Sequence, residues 1–96
     1  MAVAAGDERL AELASACRAL GSPTRLKMLA LLCERERYCG DMVKLFSLSQ
    51  STVSHHLKAL KEAGLVLSEE HGAATCYRVN QPRLVELGHE LQRLFS

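Results

Sequence analysis

The sequence predicts a mainly α-helical fold with one small β-hairpin, a winged helix-turn-helix. Three observations predict it. Four successive stretches place apolar residues at helical spacing, the third and fourth are separated only by "SLS", and an extended, alternating stretch with a charged turn follows before a last helix. The order is α-α-α-α-β-β-α. A length of 96 residues predicts one winged-helix DNA-binding domain over 1–96. With two Tyr, two Phe and no Trp, its core must be aliphatic.

"GDERLAELASACRALG" reads as the first helix, about 7–20. Asp7 caps it, Leu10, Leu13, Cys17 and Leu20 share one face, and Gly21 stops it. In "SPTRLKMLALLCE", Ser22 is an N-cap and Pro23 takes the first helical position, where a missing N–H matters least. Leu26, Leu29 and Cys33 share a face of this helix, which Met28, Leu31 and Leu32 make apolar most of the way round. "ERERY" reads as a solvated charged turn. The helix-turn-helix occupies about 40–63. Met42, Leu45 and Phe46 face inward from its first helix, Leu48 plugs the turn, Ser49 caps the second helix and Gly64 ends it in a left-handed conformation. "LVLSEEHGAATCYRVN" is a hairpin with its wing at about 66–79, in which Cys76 shares an outward strand face with Ala74 and Arg78. Pro82 opens the last helix, about 82–95, with Leu84, Leu87, Leu91 and Leu94 at helical spacing.

The N-terminus lacks a basic segment followed by an apolar one, and no apolar run approaches the length of a membrane span; both predict a cytoplasmic location with no membrane partner. Thiols stay reduced there, so Cys17, Cys33, Cys39 and Cys76 call for a packing or a chemical role. Formal net charge is +1, which neither demands nor excludes nucleic acid.

Local chemistry decides that question. In "SQSTVSHHLKALKEAGLV", Val53, Leu57 and Leu60 define a buried stripe, and the opposite face carries small polar and basic groups. A solvated helix favours Glu and Lys over Ser and Thr, which are poorer helix formers. Here four of the first six residues, Ser49, Ser51, Thr52 and Ser54, are hydroxylic. Gln50, Ser51, Thr52, Ser54 and His55 suit base edges in a major groove, and Lys58 one turn later suits a phosphate. On the wing, His71 and Arg78 are placed to meet the backbone or minor groove, while His56 lies beside the buried stripe as a packed, hydrogen-bonded residue.

"ALGSPTRLKMLALL", "LSQSTVSHHLKALKEAGLV" and "YRVN" together resemble the ArsR/SmtB family of winged-helix repressors, over about Ala19 to Asn80. The resemblance implies a homodimer on double-stranded operator DNA, an inverted repeat, released when a metal ion, metalloid or thiol oxidant binds. It also implies a dimer interface on the terminal helices, here Leu10, Leu13, Leu84, Leu87, Leu91 and Leu94.

The family's cysteine box, E-L-C-V-C-D-L, corresponds to Glu36 through Met42, but Tyr38 and Gly40 fill its ligand slots and Cys39 sits between them. The last helix offers Glu86, His89 and Glu90, short of the family's zinc pattern and better read as a surface charge cluster with one histidine than as ligands shared between two protomers. Cys17 and Cys33 lie on apolar faces and fit core packing. Cys39 sits near a helix N-terminus, which favours a thiolate, with Arg35 and Arg37 close in sequence. A thiophilic inducer such as As(III), Cd(II) or Zn(II) is therefore expected at Cys39, with Cys33 and Cys17 as partners. Peroxide or persulfide chemistry at the same thiol is the alternative, and a winged helix used only for protein contacts is another. Neither a C-x-x-C motif nor a nucleophile elbow is present, so no enzyme is expected.

Overall fold

The computed structural model describes residues 7–96, the side chain of Asp7 excepted, so the expected Asp7 cap lies outside the described residues. The elements are α1 (Asp7–Ala19), α2 (Pro23–Glu34), β1 (Arg37–Tyr38), α3 (Cys39–Phe46), α4 (Gln50–Glu62), β2 (Val66–His71), β3 (Ala74–Val79) and α5 (Gln81–Leu94). This is a winged helix-turn-helix of five helices and a small sheet. The core is aliphatic: Leu13 and Ala16 of α1, Met28, Leu29 and Leu32 of α2, Met42 of α3, Val53, Leu57 and Leu60 of α4, then Leu65, Val66 and Leu87.

Local signals set the helix ends. Ser22 Oγ accepts from Arg25 N–H and Pro23 opens α2. Ser49 Oγ accepts from Thr52 N–H at 3.1 Å to start α4. Between α3 and α4 the chain turns through Ser47, whose φ of 52° is left-handed, with Leu48 packed against the core. At the end of α4, Gly64 takes φ +79°. Leu65 N–H then bonds Leu60 C=O and Gly64 N–H bonds Lys61 C=O, the Schellman pattern that turns the chain toward the wing. Asn80 locks the far end of the hairpin to this exit: its backbone N–H donates to Leu65 C=O and its side-chain amide to Gly64 C=O, both at 2.9 Å.

Several expectations are corrected. The sheet has three strands in the order β1-β3-β2, because part of the expected solvated turn pairs with the hairpin as Arg37↔Tyr77 and Tyr38↔Cys76. Arg37 is buried there. Its guanidinium donates to Leu31 C=O and Glu34, satisfying the end of α2. Burial on α2 centres on Met28, Leu29 and Leu32, which leaves Leu26 and Cys33 exposed. A helix apolar nearly all round has no preferred face in its own sequence, and α2 is oriented by β3 and α4, which it packs against. Leu45 is likewise exposed while Met42 is fully buried. Cys76, expected outward, is buried, because Tyr38 and Glu69 flank it across the sheet. Most of the α5 stripe, which the resemblance assigns to a dimer interface, is covered within one chain. Leu87 is in the core of the single chain and Leu84 and Leu91 pack against it, covered by α1. Val85, Leu94 and Phe95 are the apolar residues of this end that stay exposed. Among the described residues, no helix is long and apolar enough to cross a membrane.

Candidate nucleic-acid interface

Helix α4 is two-faced. Val53, Leu57 and Leu60 are fully buried, which turns Gln50, Ser51, Thr52, His55 and Lys58 outward and leaves Ser54 half-buried at the boundary. The hydroxyls at its start are ordered among themselves. Ser49 donates to Thr52 Oγ1 at 2.8 Å and meets Ser51 Oγ at 3.2 Å. An exposed helix start of this kind, with donors and acceptors pre-arranged and a lysine one turn on, matches what a major groove requires.

Two side-chain hydrogen bonds fix α4 on its neighbours. Arg25 Nε of α2 donates to His56 Nδ1 at 3.0 Å. Burial first, then the Arg25 guanidinium and His55, hold the His56 imidazole below its usual pKa. A neutral ring with its proton on Nε2 is what this bond needs. His56 is thus the packed, hydrogen-bonded residue read from the sequence, with Arg25 as a partner that local pattern did not reveal. On the other side, Cys39 Sγ, in the first turn of α3, is hydrogen-bonded to Ser54 Oγ at 3.6 Å. A cleft of 280 Å³ between α3, α4 and the wing is lined by Tyr38, Cys39, Gln50, Ser54, Thr75 and Tyr77 among others.

On the wing, both expected basic contacts meet one carboxylate. His71 Nε2 and Arg78 each lie 3.6 Å from Glu69. Tyr38 Oη is bonded to His71 Nδ1 at 2.9 Å, their rings edge to face. Tyr38 and Glu69 were not legible as site residues, since their contacts join positions far apart in the chain.

The cysteines are not gathered. Cys17 is half-buried against the core, Cys33 is exposed, and Cys76 is buried. Burial pushes the Cys76 thiol up, with Glu36 and Glu69 adding to it, which keeps it protonated and poorly nucleophilic. Arg37, read as a neighbour of Cys39, is held by Glu34 and Leu31 instead. Among the described residues, no three His, Cys, Asp or Glu side chains form a group that could hold a metal ion, so Cys17, Cys33 and Cys39 make no such site within one chain.

Comparison with known proteins agrees with this geometry. Residues 22–68 match the family model described as bacterial regulatory protein, arsR family. The arsenical resistance operon repressor of Staphylococcus xylosus is 34% identical over 80 residues, covering 83% of this chain and 77% of that protein. A "Probable mercury resistance operon repressor" of Streptomyces lividans is 39% identical over 70 residues, 73% of this chain and 56% of its own length, so the chain spans little more than half of that relative. Among solved structures, a homodimeric winged helix-turn-helix DNA-binding domain from Mycobacterium bovis superposes with a TM-score of 0.78 at 28% identity, covering 92% of this chain and 82% of that one.

Proposed function

Because this chain belongs to the arsR family of bacterial regulatory proteins, we propose that it is a homodimeric transcriptional repressor that reads operator DNA with α4 and the wing and releases it when a thiol-reactive inducer engages Cys39. The observation that carries the reading is the exposed start of α4, where Gln50, Ser51, Thr52 and His55 stand over a fully buried Val53 and Leu57. A two-fold dimer presents two such helices, and its operator is correspondingly an inverted repeat. Val85, Leu94 and Phe95, exposed along and after α5, supply apolar surface for the second copy around the Leu10, Leu84 and Leu91 flanks.

The test is fluorescence anisotropy with operator duplexes under reducing conditions. Ser54→Ala or His55→Ala is expected to weaken binding by roughly 1–3 kcal/mol and to relax preference at particular base pairs. Lys58→Ala is expected to weaken specific and nonspecific duplexes alike and to lower the salt slope by about one. Unchanged affinity in all three variants, with the fold intact, would sink the reading.

The inducer reading rests on one contact. Cys39 Sγ touches the recognition helix at Ser54 and lines the cleft behind it, so a group added to that sulfur must displace Ser54 or fill the cleft. One chain assembles no trio of ligands, so As(III), Cd(II) or Zn(II) held by thiolates would draw on both protomers. Peroxide or polysulfide needs Cys39 alone. The two relatives are named for arsenical and mercury resistance, which favours thiophilic chemistry here. Cys39→Ser is expected to keep operator binding and lose release by whichever of As(III), Cd(II), Zn(II), peroxide or polysulfide releases the wild type. Release at the wild-type inducer concentration would rule Cys39 out as the sensor and turn attention to Glu86 and His89 on α5.

A further inference from the structure

The two-residue strand β1 supports only the root of the wing. Its last pair joins Tyr38 to Cys76, whereas β2 and β3 continue alone through Glu70↔Thr75 and His71↔Ala74 to the turn at Gly72. Two-stranded ribbons twist more and hold their shape less well than wider sheets. At about 3.3 Å per residue, the turn stands roughly 10 Å beyond the last three-stranded pair.

Tyr38 spans this gap. Cross-strand register puts Tyr38, Cys76 and Glu69 side by side on one sheet face, with His71 two residues further toward the tip on the same face. The Tyr38 hydroxyl reaches His71 Nδ1 at 2.9 Å. Because His71 Nε2 lies toward Glu69, a neutral ring carries its proton there and leaves Nδ1 to accept from Tyr38. The other end of Tyr38 is equally held. Its backbone N–H donates to the Asp41 carboxylate at 3.0 Å, and the next residue, Cys39, is bonded to Ser54 of the recognition helix.

We infer that Tyr38 is a positioning residue for DNA reading: its hydroxyl bond to His71 sets the stand-off of the wing tip from the recognition helix, which the adjoining Cys39 grips at Ser54. The inference rests on the DNA-reading function proposed above and adds a residue and a mechanism to it. Two neighbouring residues at the start of α3 thereby fix the distance between both reading elements. Ordering the tip before DNA arrives reduces the conformational freedom lost on binding. Loss of the hydroxyl therefore weakens binding through the wing tip that it holds.

Tyr38→Phe keeps the ring, and Tyr38 is 39% exposed, so the variant folds. Nitrogen-15 spectra of the His71 ring, without DNA, are expected to show the Nε2–H tautomer in the wild type and a mixture in Tyr38→Phe. Amide shifts at 70–75 should move while those at 56–62 stay in place. Operator affinity is expected to fall about three- to tenfold in Tyr38→Phe, and to show no effect of the same change on a His71→Ala background. An unchanged His71 tautomer with unmoved wing shifts overturns the inference, as does an equal loss of affinity on both backgrounds. A wild type that binds no duplex DNA refutes the function proposed above, and with it any role in reading, while the spectra still decide whether Tyr38 sets the wing.

Discussion

Val85→Glu combined with Leu94→Glu is expected to produce folded monomers and to lower operator affinity by about 10²–10⁴-fold, the loss that follows when two linked half-site contacts become independent. Both side chains are exposed in the single chain, Val85 at 49% and Leu94 at 36%. Charges there meet water in a monomer and meet each other or apolar surface in a dimer, where burial of an unpaired carboxylate is prohibitive. The choice of residues matters. Leu87 is 3% exposed within one chain, so Leu87→Glu is expected to unfold the protomer and would report nothing about association. Sedimentation velocity with far-ultraviolet circular dichroism separates the two results. A double variant that remains dimeric, or that holds operator DNA as tightly as the wild type, would place the interface elsewhere.

Leu57→Ala is expected to cost about 2–5 kcal/mol of stability and to lower Tm by roughly 8 °C or more. Leu57 is fully buried on the core face of α4, between Val53 and Leu60 along the helix. In a small domain, whose total stability is itself a modest number, that loss populates unfolded chains near physiological temperature. Operator binding should then fall with temperature in parallel with the circular dichroism signal and recover on cooling. His55→Ala, two residues away but exposed, is expected to keep stability within about 0.5 kcal/mol of the wild type. A Leu57→Ala protein with an unchanged melting curve would mean that α4 is not anchored through this side chain.

The helix-turn-helix was readable because its signals are local. Ser22, Pro23, Ser49 and Gly64 each act within one turn of their own position, and the stripe Val53, Leu57, Leu60 repeats at the period of a helix. The outward placement of Gln50, Ser51, Thr52, His55 and Lys58 follows from that stripe alone. Where a segment is apolar on every side, the same reasoning loses its grip. Leu26 and Cys33 share a helical face with the buried Leu29 and are nonetheless exposed, because the position of β3 and α4 rather than the period decides which side of α2 is covered.

Taken alone, the sequence determined the order of the helices and hairpin, the aliphatic character of the core, and the chemistry of the outward face of α4, all of which rest on neighbours no more than a few residues apart. Tertiary structure decided what depends on distant partners. It made a strand of Arg37 and Tyr38 by pairing them with Tyr77 and Cys76, and it covered Leu87 with α1. It left Cys17, Cys33 and Cys39 without a common metal-holding group among the described residues. It also brought Arg25 to His56 across 31 residues and Tyr38 to His71 across 33. The physical reason is one of range: propensity, capping and periodicity act through adjacent backbone, whereas a cross-strand pair or a side-chain hydrogen bond between elements exists only once packing has fixed both of its ends.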